Sequence, residues 1–104
     1  MNRTIYNEES AVYLDVAFLS TEGNQFVPND ITLTVHDSDS GQLMQNTPIA
    51  PSATLTAIIS AQANVINDPN KAIENRTATF TVNQGLSTEH NEVYKYGLRN
   101  FAFV

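Results

Sequence analysis

The segment ITLTVHDSDSGQL, residues 31–43, decides how this chain is expected to fold. Its first half alternates, with Ile31, Leu33 and Val35 on one side and two threonines and a histidine on the other. Alternation with a period of two is the pattern of a strand that has one buried face. The Asp/Ser run that follows ends at Gly41, and these residue types close turns. The segment therefore predicts a β-strand that runs into a hairpin.

Similar patterns on both sides of this segment predict six or seven short strands in all. They lie in residues 11–20, 42–49, 52–60, 75–83 and 92–104. A break or bulge is predicted at Gly97 in the last of them. Helix is predicted only as two single turns, one capped by Ser60 and one capped by Asp68 with Pro69 in the first helical position.

These elements predict a single domain over residues 1–104, an all-β, immunoglobulin-like antiparallel β-sandwich of about seven strands. A chain of 104 residues is long enough to bury one core. Turns that recur about every ten residues fit this architecture. Within the domain, residues 1–10 are a candidate N-terminal arm.

The amino-acid composition limits which kinds of molecule this protein can bind and which kinds of site it can form. The chain carries 11 acidic and 5 basic residues, for a net charge of −6. Nucleic acid and anionic membrane surfaces are therefore poor partners, because they are bound through clustered lysines and arginines. No cysteine is present, which excludes disulfides and thiolate metal sites. The opening residues lack a secretory pattern and no apolar run is long enough to span a membrane, so a reducing cytoplasm is expected.

The predicted hairpin carries two carboxylates in the spacing of a calcium loop. Asp37 and Asp39 match the start of an EF-hand loop, but Gly41 comes one position early. The twelfth residue is Pro48, where an EF-hand has glutamate. An irregular, weak calcium site at the two aspartates stays an alternative, and the sequence favours a hairpin turn.

A Ser-His-Asp site is the other chemical interpretation of the hairpin. His36, Asp37 and Ser38 are consecutive, and neighbouring residues of a strand point to opposite faces. Catalytic triads are instead assembled from residues that converge in space. His90 has two glutamates beside it and no second histidine nearby in the sequence. The sequence therefore predicts no enzyme, no catalytic residue, no metal site and no cofactor.

Both ends of the chain are apolar enough to contact a neighbouring molecule. Residues 99–104 are either the last strand or a C-terminal anchor, and the N-terminal arm would pair with the sheet edge of a partner. Together with the acidic hairpin tip, the two ends supply the residues predicted to dock a partner: Ile5, Tyr6, Asp37, Asp39, Arg99, Phe101, Phe103 and Val104.

Four stretches taken together resemble the small immunoglobulin-like structural proteins of tailed bacteriophage virions. They are ITLTVHDSDSGQL, ATLTAIISAQANVI, ENRTATFTV and VYKYGLRNF, and the likeness extends from Ala11 to Phe101. In that group an Asp-rich D-x-x-x-G hairpin, an alternating Ala/Leu/Ile strand, a Glu-Arg-Thr-type strand and a Tyr-containing strand follow one another. The likeness lies in strand patterns and turns, and the group has no catalytic residues to carry over.

The resemblance implies a non-enzymatic virion component that is made in the host cytoplasm and present in many copies. Capsid decoration, a collar or neck ring and fibre attachment are the expected roles. The expected partners are capsid, portal or neck, and tail or fibre subunits, with a homo-oligomer or ring in the particle. The alternative is a receptor- or carbohydrate-binding β-sandwich that uses the aromatic residues Tyr13 and Phe26.

Overall fold

The computed structural model describes residues 4–20, 22–83, 85–86 and 89–101. Within them the chain forms seven strands and one short 3-10 helix, Ala61–Asn64, and no α-helix. The strands are β1 (Thr4–Asn7), β2 (Val12–Ala17), β3 (Ile31–Asp37), β4 (Leu43–Ile49), β5 (Thr54–Ile59), β6 (Ile73–Val82) and β7 (His90–Arg99). The predicted all-β fold is confirmed.

The strands form two sheets that face each other. The larger has the order β1-β7-β6-β3-β4, and the smaller pairs β2 with β5. Strands β3, β6 and β7 take the places of the C, F and G strands of an immunoglobulin-like sandwich, and β2 and β5 take those of B and E. Strand β1, which falls in the candidate N-terminal arm, pairs with β7 in parallel, and the other strand pairs are antiparallel. Both strands run toward the same end of the molecule, and the chain crosses to the other sheet between β1 and β2.

The core lies between the sheets and follows the predicted alternation. Every second residue of β3 and β6 is buried, and Phe80 and Val35 have no exposed surface. Facing them from the smaller sheet are Val12, Val16 and Ile59. Each fully buried side chain of this size contributes about 1.5–3 kcal/mol, so this alternation supplies the main driving force for folding.

The hairpin at one edge of the larger sheet joins β3 to β4, as predicted. Its turn is closed by the Gly41 N–H, which donates to the carbonyl oxygen of Asp37 at 2.8 Å, and Gly41 has a φ of 76°. The register of β3 and β4 shifts between Val35 and His36, which marks a bulge there. The predicted break at Gly97 is wrong, because that residue pairs in regular register with β6 on one side and β1 on the other.

The two predicted helical turns have different outcomes. The first is confirmed as the 3-10 helix, and the Ser60 hydroxyl accepts a hydrogen bond from the Ala63 N–H at 3.2 Å. The second is wrong as a helix. Asp68 instead caps a tight turn, with its carbonyl oxygen accepting from Lys71 and its carboxylate from Asn70. Strand β6 begins at Ile73, two residues after Lys71, and this leaves no room for a helix.

One end of the sandwich, here called the hairpin end, gathers four segments of the chain. They are the β1–β2 turn, the β3–β4 hairpin, the connection 60–72 between β5 and β6, and residues 100–101 after β7. Strand β7 ends at Arg99, so residues 100–101 do not continue it. The Phe101 N–H donates to the Glu8 carboxylate at 2.7 Å, which ties the end of the chain to the β1–β2 turn.

Candidate functional site

The densest group of buried polar side chains lies inside the hairpin end. It is called here the polar corner; its buried members are Asp37, Asn64, Glu74, Arg76 and Tyr96, and the exposed Asn67 is bonded to them. Glu74 and Arg76 have 0% exposed surface and lie on the inner face of β6, where apolar residues are usual. A buried charge needs partners, so the hydrogen bonds of this group decide what it does.

The Glu74 carboxylate binds the backbone of connection 60–72. It accepts from the Asn67 N–H at 2.9 Å and from the Asp68 N–H at 2.8 Å. Arg76 donates to Glu74 through one terminal nitrogen and to the Val65 carbonyl oxygen, at 2.7 Å, through the other. Glu74 and Arg76 therefore supply hydrogen-bond partners to backbone groups of connection 60–72 that lie outside any strand.

Asp37 extends the corner to the end of β3. Its side chain is 5% exposed, and its carboxylate accepts from the Asn67 side chain at 3.0 Å and the Asp39 N–H at 3.1 Å. Burial by itself raises the pKa of Asp37. Hydrogen bonds from Asn67 and Asp39, with the charge of Arg76, outweigh that effect and hold the pKa below its ordinary value.

Tyr96 closes the corner from β7. Its hydroxyl donates to the Asn64 side-chain oxygen at 2.7 Å, and the Asn64 amide donates to the Ser10 carbonyl oxygen at 2.8 Å. Burial raises the pKa of Tyr96 far above its ordinary range, so the hydroxyl keeps its proton. Its ring meets Tyr6 edge-on, with centroids 5.8 Å apart. This chain of bonds fixes the 3-10 helix against the β1–β2 turn.

Apart from Asn67, the polar corner presents little to solvent, and its side chains bond to other groups of the protein. Its two carboxylates are buried and bonded to protein groups. The Nε atom of Arg76 is buried and lacks a hydrogen-bond partner among the described residues. The arrangement serves to anchor connection 60–72, which joins the smaller sheet to the larger.

The hairpin tip does not offer two free carboxylates to a calcium ion. Asp37 faces inward, and Asp39 lies 2.6 Å from the Lys71 ammonium, which takes the place of a cation. The hydrogen bond to Asp39 raises the pKa of Lys71. In the described parts of the chain, no three His, Cys, Asp or Glu side chains are grouped so that they could hold a metal ion.

The two histidines lie in separate surroundings. His36 is on the outer face of the larger sheet while its neighbour Asp37 points inward, as the alternation predicts. Ser38 bonds the Thr77 hydroxyl at 2.7 Å. His90 lies 3.8 Å from Glu92, and its ring is 5.9 Å from that of Phe26. Among the described residues, neither histidine is bonded to both a serine and an acid.

The residues predicted to dock a partner are spread over the molecule. Ile5 is exposed on β1, while Tyr6 packs inward against Tyr96. Asp37 is buried, so its place at an acidic tip is wrong and Asp39 alone remains exposed there. Arg99 and Phe101 are exposed at the hairpin end. Phe103 and Val104 lie outside the described residues.

The outer side of the larger sheet carries no acidic side chain on its five strands. Its central part, here called the threonine face, consists of the outward residues of β3, β6 and β7: Thr32, Thr34, His36, Ile73, Asn75, Thr77, Thr79, Thr81, Asn91, Val93, Lys95, Gly97 and Arg99. The outward positions of β1 and β4 also lack Asp and Glu. Lys95 and Arg99 make no ion pair with any described residue. This face is therefore positive in a chain of net charge −6.

The opposite side of the sandwich is smaller and carries one negative charge. This back face consists of the outward residues of β2 and β5: Tyr13, Asp15, Ala17, Thr54, Thr56 and Ile58. Tyr13 and Ile58 are direct cross-strand partners and are 64% and 54% exposed. Residues 15–17 and 54–56 line a shallow depression of about 410 Å³ beside them. Phe26, the other predicted binding aromatic, is half-buried against the core.

Sequence reasoning missed the polar corner and the charge difference between the faces. The corner had a signal, because the alternation of β6 continues backward from Ala78 and places Arg76 and Glu74 inward. The threonine face had a weaker signal, namely threonine at the outward positions of two separate segments.

No helix among the described residues is both long and apolar enough to cross a membrane. Comparisons with protein families, with curated proteins and with solved structures found no match.

Proposed function

We propose that the protein is a non-enzymatic structural module of a multi-copy assembly, held by protein–protein contacts through its threonine face. Its sequence resembles structural proteins of tailed bacteriophage virions. In such a particle the protein would be a capsid-decoration, collar or fibre-attachment subunit. One observation carries the proposal. A surface that spans the larger sheet carries only cations, although acidic residues outnumber basic ones 11 to 5 in the chain.

The composition of the threonine face suits a docking surface for protein. Threonine and asparagine dominate it, and Val93, 53% exposed, adds an apolar contact near its centre. Side chains as short as threonine lose little conformational freedom when they are covered. Interface cores are depleted in charged residues relative to the remaining surface, while charge at the rim guides partners together. Lys95 and Arg99 supply positive charge that guides an acidic partner to the face.

The polar corner supports a structural role. The buried network fixes the connection between the two sheets. The two outer faces are therefore held in a fixed position relative to each other. The buried Asp37, Glu74 and Arg76 are occupied with protein groups, and we assign none of them a chemical step.

The test is whether the protein is part of a particle. Particles from a culture that produces the protein are purified on a density gradient and washed in high salt, and the protein is quantified by mass spectrometry. We expect it to co-sediment with particles at a constant ratio to the major capsid protein. Its recovery only in the soluble fraction would refute the proposal.

A receptor- or carbohydrate-binding module is the second candidate. It is favoured by the exposed Tyr13 beside the depression of about 410 Å³, because aromatic rings stack on sugars and a carboxylate such as Asp15 accepts hydroxyl bonds. Binding of the isolated protein to a glycan array, lost in Tyr13→Ala, would establish this candidate in place of the first.

A further inference from the structure

We propose that the threonine face of one copy is covered by the back face of a second copy, so that copies stack front to back. The inference rests on the proposed function, since it names the partner of the same face. The two faces lie on opposite sides of one sandwich, one on each sheet. Their charges, their apolar residues and the depression on the back face carry the argument.

Charge excludes the simplest alternative, a symmetric dimer of two threonine faces. Such an isologous contact brings the same patch together from both subunits. Each patch would contribute Lys95 and Arg99 and no carboxylate, so cations would be buried without counter-charges. Burying an unpaired charge is costly, and like charges disfavour the contact further. The face therefore needs a partner that brings a carboxylate.

The back face brings that carboxylate. Asp15 is its only charged residue, and one carboxylate oxygen accepts from the Thr56 hydroxyl at 2.7 Å. The other oxygen makes no hydrogen bond among the described residues and is open to a donor. Asp15 and Thr56 also line the depression of about 410 Å³. A lysine or arginine side chain from the next copy fits this site, because it can enter the depression and donate hydrogen bonds to the carboxylate and the hydroxyls.

The apolar residues of the two faces also match. Tyr13 and Ile58 form an exposed pair on the back face, and exposed aromatic residues are enriched in the cores of protein interfaces. The threonine face offers Val93 two residues from Lys95 on the same strand. A contact that places the cation at Asp15 can thus cover the apolar pair with the middle of the threonine face.

A front-to-back contact is heterologous and leaves one face free at each end of a stack. Such contacts build rings when the rotation closes and filaments when it does not. The back face has only two strands, so each contact is small and belongs to the weak class. Weak contacts bind tightly in combination when many copies are held in one assembly, which fits a multi-copy assembly.

The experiment uses two blocked variants of the full chain and sedimentation velocity. The front-blocked variant is Lys95→Glu with Arg99→Glu, and the back-blocked variant is Tyr13→Ser with Asp15→Asn. All four side chains are exposed, and circular dichroism melts verify that both variants are folded. At about 1 mM protein and about 20 mM salt, wild type is expected to self-associate, while each variant alone associates at least about tenfold more weakly.

Mixing the two variants gives the decisive result. Each keeps one intact face, so a mixture is expected to form one-to-one dimers and nothing larger. A back-blocked variant that still self-associates on its own would overturn the inference in favour of a symmetric contact between threonine faces. A wild-type protein that stays monomeric under these conditions would also overturn it. If that monomer still co-sediments with particles, the proposed function stands and only the second copy as partner is refuted.

Discussion

Glu74 accepts a hydrogen bond from the backbone N–H of Asp68 at 2.8 Å, and the two residues belong to different parts of the sandwich. Glu74 lies on the inner face of the larger sheet, and Asp68 lies in connection 60–72, which arrives from the smaller sheet. The bond therefore ties the sheets together at the hairpin end. A fully buried acid that caps a neighbouring turn also makes the polar corner directly testable by mutation.

Glu74→Gln is expected to lower the free energy of unfolding by about 3–5 kcal/mol, because it leaves the buried Arg76 with only the more distant Asp37, at 3.8 Å, as a charged partner. Urea denaturation followed by circular dichroism measures the change. Glu22→Gln, an exposed change in the β2–β3 loop, is the control and should unfold at the wild-type urea concentration. An unchanged midpoint for Glu74→Gln would mean that the corner does not hold the sheets together.

The double variant Glu74→Met with Arg76→Met separates two explanations for the corner. If the buried pair mattered only as a salt bridge, replacing both partners by apolar residues would be neutral or stabilising. We expect destabilisation instead, by about 1–3 kcal/mol for each backbone group left without a partner. Those groups are the N–H groups of Asn67 and Asp68, bonded to Glu74, and the carbonyl of Val65, bonded to Arg76. A urea midpoint at or above that of wild type would contradict this reading.

Asp37→Asn tests the pH dependence of stability. The folded pKa of Asp37 lies below its ordinary value of 3.8, so the ionised carboxylate stabilises the fold above that value. This stabilisation is lost as the pH falls through the folded pKa. The stability difference between wild type and Asp37→Asn should be largest near about pH 6 and shrink from about pH 5 to about pH 2. Thermal melts across this range measure it.

Ser38→Ala, an exposed change on the same hairpin, is the control for the pH series. It should leave the shape of the acid profile as in wild type. A wild-type profile that runs parallel to that of Asp37→Asn throughout would show that the Asp37 charge contributes nothing.

Tyr96→Phe removes the hydroxyl that donates to Asn64 at 2.7 Å and leaves a buried acceptor without its donor. Such a loss costs about 1–3 kcal/mol. For a domain of this size, each kcal/mol lowers the melting temperature by about 4–8 °C. Scanning calorimetry measures the shift. Tyr13→Phe, at an exposed position on the back face, should melt like wild type, and equal shifts for the two variants would contradict the assigned bond.

The fold could be predicted from sequence where a local rule decides it. The pleat of a strand fixes a side-chain period of two, so alternation alone placed Val35, Phe80 and Ile59 in the core. The hairpin after β3 was likewise predicted from its turn residues. Local patterns do not specify which strands pair, so the parallel pairing of β1 with β7 was missed. The regular ladder at Gly97 was missed because glycine weakens strands in isolation, whereas here it is paired on both sides.

The candidate sites were harder to predict because each depends on contacts distant in sequence. Buried charges are rare unless they are paired, and the partners of Arg76 include Val65, eleven residues away in another segment. The threonine face exists only because the topology places β3 beside β6 and β6 beside β7. Each strand alone looks like an ordinary half-buried strand, so the absence of acid across all of them was not evident.

The most direct test of the central claim is competition for incorporation into particles. Wild type and Lys95→Glu with Arg99→Glu are produced in equal amounts in cells that assemble the particle, and the ratio in purified particles is measured by mass spectrometry. If the threonine face holds the protein in its assembly, wild type should be enriched at least about tenfold, since reversing two cations at a contact weakens it strongly. Equal incorporation of the two proteins would contradict the claim.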